Sequence, residues 1–264
     1  SAILLTFGGN FHAPIYIVKE GTDKYWYPDA TRFIGYNPET NDKTIHEFPI
    51  YSFVVSDLHA HLINLPFVLL YIALLANYLI GKWPASHSGI FPSKLIPLGF
   101  VLGVMFMTST WDFGNYLLVS GIALLVLNLK NYKLSFKSLW LTAKPLITIL
   151  VVALLTALPF ILNFISLAEG IKLVNQRTPL WQLGVLWGFP AILSCVFAVF
   201  LYKFRSEIKK TDVFILSLLV ASWTLIIIPE IVFLNDIYIA SHQRANTMFK
   251  LTYKAYVMSY LSSC

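Results

Sequence analysis

Charged residues are scarce in this chain of 264 residues, and their scarcity excludes an ordinary soluble domain. Asp, Glu, Lys and Arg together make up 12% of the sequence, whereas hydrophobic residues make up 57% and the mean hydropathy is +0.69. Soluble globular domains are about 25% charged. The composition therefore predicts an integral membrane protein that has the lipid bilayer as a partner.

Cysteine is also scarce, and the common nucleotide-binding and hydrolase motifs are missing. The two cysteines, Cys195 and Cys264, provide neither a disulfide framework nor a metal-ligand spacing. There is no Walker loop, no dinucleotide-binding glycine fingerprint, no Gly-x-Ser-x-Gly elbow and no zincin motif. The net charge of +6 does not indicate nucleic acid as a partner, because the basic residues form no continuous stripe. ATP-driven and soluble-hydrolase functions are likewise unsupported.

Long uncharged runs are what the sequence has in abundance. A hydrocarbon core of about 30 Å is crossed by roughly 20 helical residues at about 1.5 Å per residue. Asp112 alone separates two of the runs, which predicts a tight turn at 110–116 between two antiparallel crossings. We predict an all-α polytopic transmembrane helix bundle with partial helices at both ends and six complete crossings, at 62–81, 95–111, 113–129, 145–168, 178–202 and 213–229.

The charges are sorted between alternate connections. Eleven of the thirteen acids lie on the N-terminal segment or on the connections that lack Lys clusters. Cytoplasmic loops retain Lys and Arg, so the clustered basic residues mark the inner side. The sorting predicts a multi-pass cell membrane protein. In the predicted topology, residues 1–61 form an extracytoplasmic loop that contains short helices, and residues 62–264 form a transmembrane domain. The basic residues that mark the inner side are Lys82, Lys94, Lys130, Lys133, Lys137, Lys144, Lys203, Arg205, Lys209 and Lys210.

The ends of the sequence indicate an internal fragment of a longer membrane protein. The chain opens with Ser1, without an initiator Met or the basic n-region of a signal peptide. It stops at Cys264, inside a Tyr-rich amphipathic stretch. We therefore expect further functional residues outside it.

Three titratable side chains fall within five residues just before the first crossing, at Asp57, His59 and His61. In a helix, Asp57 and His61 share a face and His59 points about 160° away. An Asp–His pair can orient an imidazole for acid–base chemistry or provide two ligands for a divalent metal ion. The alternative is a polar cap at the membrane interface. We predict catalytic roles for all three residues, with Asp57 and His61 as the ligands if a metal is used.

A second group of candidates surrounds the outer end of the last crossing. Glu230 follows Pro229 at membrane depth, where a carboxylate is costly, so we predict a catalytic role for it. Arg and Lys beyond it can hold a phosphate or pyrophosphate. The alternatives are a salt-bridged outer loop and, at Asp112, a turn beside an interfacial aromatic belt. Substrate binding is predicted for Glu47, Asp112, Asp236, His242, Arg244 and Lys250.

Several motifs together resemble one family. They include His46-Glu47-Phe48-Pro49, Ser56-Asp57-Leu58-His59-Ala60-His61, Thr110-Trp111-Asp112-Phe113 and Arg244-Ala245-Asn246-Thr247-Met248-Phe249-Lys250. Over most of its length the chain resembles the uncharacterised "YYY" integral membrane protein family of archaea and bacteria. The triple-Tyr motif of that family is expected upstream of Ser1.

The resemblance also implies a function. The "YYY" family is itself similar to the GT-C membrane glycosyltransferases. Those enzymes take a sugar from a polyprenyl-phosphate donor, use an acid of an early outer loop as base, and often need a divalent cation. Asp57 is the nearest match to that acid, with His59 and His61 beside it.

We therefore predict a GT-C-like glycosyltransferase that acts at the extracytoplasmic face. Its partners are a lipid-linked sugar and an acceptor glycan, lipid or protein. The alternatives are a transporter or flippase, and a non-catalytic subunit of a membrane complex. Transporters usually place ionisable groups near the bilayer midplane and contain inverted repeats. Here the polar groups crowd one rim and no repeat is evident, which favours the transferase.

Overall fold

The computed structural model describes residues 8–56, 58–81, 93–165, 169–236 and 240–263, together with Ile3 and Leu5. These residues are predominantly helical. One short antiparallel pair of strands occurs among them, β1 (Ile171–Leu173) and β2 (Val232–Leu234), with Lys172 opposite Phe233. The helices are α1 (His12–Glu20), α2 (Pro49–Val54), α3 (Ala60–Ile63), α4 (Leu65–Ile80), α5 (Ile96–Thr108), α6 (Thr110–Tyr132), α7 (Phe136–Ile161), α8 (Leu180–Lys203), α9 (Lys210–Ile227) and α10 (Ala245–Ser262).

The helices confirm the predicted polytopic bundle. In the described part of the chain, five helical segments are long and apolar enough to cross a membrane, and Ser93–Thr108 is a shorter apolar helix. The five segments are Ala60–Ile80, Thr110–Tyr132, Phe136–Ile161, Leu180–Lys203 and Lys210–Glu230. Each of the six helices overlaps one predicted crossing. The protein is thus an all-α integral membrane protein with several candidate spans.

The turn predicted at 110–116 is wrong. Helix α5 ends at Thr108 and α6 begins at Thr110, so Ser109 alone separates them. Ser109 has an extended backbone, and its carbonyl accepts the Asp112 amide at 2.9 Å. Asp112 therefore lies in the first turn of α6, where a carboxylate is stabilised by the helix dipole. Asp112 is therefore a helix-start residue and not a turn residue.

Helix α7 also begins earlier than the predicted crossing at 145. Ser135 caps it through a reciprocal pair of hydrogen bonds, in which the Ser138 amide donates to Ser135 Oγ at 3.3 Å and the Ser135 amide donates to Ser138 Oγ at 3.2 Å. Such a capping box satisfies two of the free amides at a helix start. Lys137 and Lys144, predicted to lie in a connection, consequently lie inside the helix.

The chain divides into two compact units. The first comprises residues 1–57, 166–204 and 222–264, and the second comprises 58–165 and 205–221. Within the second unit, α5 and α7 are in close contact because α5 carries glycine at two positions one turn apart. A Cβ at Gly99 would lie 2.5 Å from Val152 Cβ, and one at Gly103 would lie 2.6 Å from Thr156 Cβ. Small residues at this spacing allow membrane helices to pack closely.

The predicted division into an extracytoplasmic loop at 1–61 and a transmembrane domain at 62–264 describes positions relative to the membrane. It stays a prediction.

The first unit has α10 at its core. Every residue from Leu251 to Tyr260 is buried, including Lys254. The hydroxyl groups of Tyr256 and Tyr260 donate to the carbonyls of Gly8 and Gly9. Phe48 packs against Tyr256, with ring centroids 5.5 Å apart. This stretch of α10 is therefore buried although it carries polar side chains.

Candidate functional site

Arg244 is the centre of a buried ion-pair cluster in the first unit. It precedes the first residue of α10, and only 1% of its surface is exposed. Its Nε lies 3.0 Å from both carboxylate oxygens of Asp42, and its Nη2 lies 2.5 Å from Asp42 Oδ2. Nη2 also donates to Thr178 Oγ1 at 2.8 Å, whereas Nη1 donates to the Pro229 carbonyl at 3.1 Å and lies 2.9 Å from Glu230 Oε2. A guanidinium has five N–H donors, and all five are engaged here.

Glu230 is held in the same cluster by Thr178. The Thr178 amide donates to Glu230 Oε2 at 2.9 Å, and the Thr178 hydroxyl donates to Oε1 at 2.7 Å. The backbone places the two residues together because the Val174 amide donates to the Ile231 carbonyl at 2.9 Å beside the β1–β2 pair. The cluster therefore combines one cation with two carboxylates, and each carboxylate has a fixed orientation.

Two opposing effects act on the pKa of Arg244. Burial lowers the pKa of a guanidinium, because it disfavours the charged form. The hydrogen bonds to Asp42 and the charge of Glu230 outweigh burial and raise the pKa of Arg244 above its ordinary value. The guanidinium thus stays charged, as the pairing of two carboxylates requires.

A polar cavity of about 180 Å³ opens on one part of this cluster. Asp42 and Arg244 line it, together with the apolar side chains of Val174 and Phe233. Its remaining lining consists of four carboxamides, from Asn41, Asn175, Gln176 and Gln243. Carboxamides both donate and accept hydrogen bonds, so the cavity suits an uncharged polar ligand.

An apolar groove of about 290 Å³ reaches the cluster at Glu230. Leu180, Leu183, Gly184, Trp187, Gly188 and Ala191 of α8 line it, as do Trp223, Ile226 and Ile227 of α9. Small residues at 184, 188 and 191 lie on one face of α8, because positions three and four apart are neighbours on a helix. A Cβ at Gly184 would have no atom within 4 Å, counted over the described residues. Glu230 is the single ionisable residue among those that line the groove.

The ion-pair cluster thus borders both the polar cavity and the apolar groove. Asp42 and Arg244 line the polar cavity, while Glu230 lines the apolar groove. Arg244 joins the two carboxylates directly. This arrangement can bind a molecule that has a polar head and an apolar chain.

The motif with His59 and His61 before the first crossing is not the continuous helix that the spacing of its residues suggests. Leu58 and His59 are not helical, and α3 begins at Ala60. The rings of His59 and His61 stack with centroids 5.9 Å apart instead of pointing in opposite directions, because His59 precedes the helix. His59 is exposed and His61 is buried. Asp57 lies outside the described residues, so its predicted roles stay predictions.

No candidate metal centre occurs among the residues that the structure describes, in the sense of three or more His, Cys, Asp or Glu side chains grouped together. The predicted pair of Asp57 and His61 includes one residue outside this set. A divalent metal ion therefore stays a prediction.

The other predicted substrate-binding residues have local partners, and none of them lines the cavity or the groove. Ser52 Oγ donates to Glu47 Oε2 at 3.3 Å, and the Asn64 amide donates to Asp112 Oδ2. The Asn246 amide donates to Asp236 Oδ2 at 2.7 Å, and His242 Nε2 lies 3.1 Å from the Tyr36 hydroxyl. Lys250 Nζ lies 4.6 Å from the ring centroid of Phe249. Their roles in substrate binding stay predictions.

Sequence reasoning selected Glu230 and Arg244 but missed two partners, Asp42 and Thr178. Asp42 stands in the polar stretch Asn41-Asp42-Lys43, which is typical of an exposed turn. Thr178 precedes Pro179 at a helix start, which is an ordinary position for a threonine. A buried charge must be paired, but no local signal in the sequence identifies Asp42 as the partner of Arg244.

Comparisons with known proteins agree with the membrane architecture. A family model described as "Uncharacterized membrane protein (DUF2298)" matches residues 1–207 and, in a second overlapping segment, 191–259. No curated protein and no solved structure matches the chain. The two matched segments cover nearly the whole sequence, and this confirms the prediction of an uncharacterised membrane protein family. The chain belongs to the uncharacterised membrane protein family DUF2298.

Proposed function

We propose that the protein is a GT-C-like membrane glycosyltransferase that takes a sugar from a polyprenyl-phosphate donor at the extracytoplasmic face of the cell membrane. The acceptor is a glycan, a lipid or a protein. The observation that supports this proposal is the cluster of Asp42, Arg244 and Glu230, which borders a polar cavity and an apolar groove. A lipid-linked sugar has the same division into a polar and an apolar part.

The groove suits the apolar chain of such a donor. Aromatic, aliphatic and glycine residues line it, and its one carboxylate is already paired with Arg244. Because the chain of such a donor already lies in the hydrocarbon of the bilayer, van der Waals packing against the groove holds it there, and not transfer from water. Anchoring of the chain would hold the sugar of the donor near Glu230. The reacting bond is then fixed in position, which is a major part of catalysis.

The proposed reaction is a displacement at the anomeric carbon of the donor. The acceptor hydroxyl oxygen forms a bond to this carbon, while the bond between the carbon and the phosphate oxygen breaks. The bonding electron pair leaves with the phosphate, and the hydroxyl proton passes to a carboxylate that acts as general base. Asp57 is the candidate for the base, with His59 and His61 beside it in the sequence.

The roles of Glu230 and Arg244 follow from their contacts. Positive charge develops on the sugar in the transition state of glycosyl transfer, and a fixed carboxylate such as Glu230 stabilises it. Arg244 cannot bind the leaving phosphate in this conformation, since all its donors are engaged. We therefore assign Arg244 as a positioning residue for the two carboxylates. Lys250 stays the candidate for neutralising the phosphate.

The proposal is tested with the full-length protein in proteoliposomes. A panel of polyprenyl-phosphate-linked hexoses with a radiolabelled sugar is supplied, and the release of polyprenyl phosphate and the labelled products are measured. We expect turnover by the wild-type protein and at least a hundredfold lower turnover for Asp57→Asn. Movement of the labelled lipid between leaflets, without release of polyprenyl phosphate, would instead identify a flippase.

A further inference from the structure

We infer that the polar cavity binds the uncharged, hydroxyl-bearing sugar of the substrate and does not bind its phosphate. The cavity is the space of about 180 Å³ lined by Asn41, Asp42, Asn175, Gln176, Gln243 and Arg244, with Val174 and Phe233 as an apolar wall. The inference rests on the proposed function for the identity of the sugar, but the binding preference follows from the lining residues alone.

The charges around the cavity disfavour a phosphate. Arg244 is the single cation among the lining residues, and its five N–H groups already donate to protein acceptors. Asp42 adds a carboxylate that repels an anion. Protein sites for phosphate depend on free Arg, Lys or backbone N–H donors, because these groups neutralise its charge. None of the cavity's lining side chains offers a free cationic donor.

The hydrogen-bonding groups of the cavity match hydroxyl groups instead. The carboxamides of Asn41, Asn175, Gln176 and Gln243 line the cavity and are exposed, so their donors and acceptors are accessible to a ligand. A sugar hydroxyl both donates and accepts, as a carboxamide does. Four carboxamides around a small space can therefore hold several hydroxyl groups of one ring.

Asp42 retains an acceptor position for the same ligand. A carboxylate has about four acceptor positions. The three contacts with Arg244 engage Oδ1 once and Oδ2 twice, which leaves a position on Oδ1. About 15% of the Asp42 side chain is exposed, and Asp42 lines the cavity. A sugar hydroxyl can donate to this oxygen, whose orientation Arg244 fixes.

The size of the cavity sets a limit on the ligand. Sites for drug-sized molecules have volumes of about 300–1,000 Å³. A cavity of about 180 Å³ is smaller and fits one sugar ring better than an oligosaccharide. The apolar side chains of Val174 and Phe233 give the C–H face of the ring a surface to pack against.

The test measures binding without turnover. The full-length protein in nanodiscs is titrated with methyl glycosides of several hexoses and, separately, with inorganic phosphate, and binding is followed by saturation-transfer NMR. The double variant Gln176→Ala/Gln243→Ala removes two exposed carboxamides, and Asn131→Ala removes an exposed carboxamide at the end of α6 as the matched control. We expect at least one glycoside to bind, with about tenfold weaker binding to the double variant and unchanged binding to the control.

The outcomes separate this inference from the proposed function. Phosphate binding that the double variant weakens, or glycoside binding that it leaves unchanged, would overturn the inference. If glycosides bind as expected but no sugar is transferred to any acceptor, the inference stands and the transferase proposal fails. If transfer occurs and the double variant retains the wild-type KM for the donor, the inference fails and the transferase proposal stands.

Discussion

The hydroxyl group of Thr178 lies between Arg244 and Glu230 and connects them. It accepts a hydrogen bond from Arg244 Nη2 at 2.8 Å and donates one to Glu230 Oε1 at 2.7 Å. One hydroxyl group therefore satisfies a cation and an anion at the same time. This relay gives a donor of the buried Arg244 and an acceptor of Glu230 a protein partner where burial would otherwise leave them unpaired.

Replacing Thr178 by valine should destabilise the protein by about 1–3 kcal/mol. The cause is that one N–H donor of Arg244 and one carboxylate oxygen of Glu230, both in the protein interior, lose their hydrogen-bond partner. Thr178→Ser retains the hydroxyl and removes one buried methyl group, so it should cost less, about 0.8 kcal/mol. The midpoint of thermal unfolding in detergent provides the comparison. Equal midpoints for the two variants would show that the hydroxyl relay does not contribute to stability.

Replacing Arg244 by alanine should have a larger effect. It leaves two carboxylates without their cation, and breaking a buried ion pair costs about 3–5 kcal/mol. Arg244→Lys restores the charge but not the five donors, so we expect an intermediate loss. Arg177→Ala, at an exposed arginine, is the control. Denaturant unfolding of the purified protein measures all three, and an Arg244→Ala variant as stable as Arg177→Ala would contradict the assigned role.

Stability should fall as the solution becomes acidic, partly because of His46. Burial, together with the smaller effects of the nearby charges of Arg244 and Arg32, lowers the pKa of His46 from 6.5 to about 3. Between about pH 6.5 and pH 3 the unfolded chain binds a proton at this site and the folded chain does not, so the free energy of unfolding decreases with falling pH. Above the unfolded pKa the contribution is fully present.

The variant His46→Gln tests this pH dependence, because glutamine can hydrogen-bond but does not titrate in this range. Thermal midpoints measured between pH 8 and pH 4 should decrease less steeply for the variant than for the wild type. Parallel curves for the two proteins would mean that His46 titrates alike in the folded and unfolded states.

Two glycines should respond in opposite ways to the same substitution. Gly184→Leu places a side chain in the open groove, so the fold should tolerate it while binding of the lipid-linked donor weakens at least tenfold. Leucine also favours a helix over glycine by about 0.5–1 kcal/mol. Gly99→Leu should destabilise the protein, since its Cβ alone would lie 2.5 Å from Val152 Cβ. Thermal unfolding and donor binding are measured for both variants. Unaltered donor binding by Gly184→Leu would argue against the groove as the chain site.

The sequence by itself determined the class of protein and the position of most helices. Length and absence of charge are local properties, so runs such as 62–81 and 178–202 locate helices without any tertiary information. The errors were also local. An acid in a turn and an acid at a helix start have the same short-range signature, so the sequence around Asp112 does not distinguish them, and the capping serine Ser135 gives no apolar signal.

The sequence also predicts only part of the candidate site. Glu230 is predicted because a carboxylate at the end of an apolar run is costly, and Arg244 because an arginine beyond it can hold a phosphate. Both residues thus have a signal that is visible in the sequence. Their partnership with Asp42 and Thr178 was decided by tertiary structure. Asp42 is 202 positions from Arg244, and Thr178 is 52 positions from Glu230. A polar residue in a loop has the same local sequence signature whether it is solvated or buried against a charge. The decision depends on which segments the fold brings together, because burial converts an ordinary charge into one that must be paired.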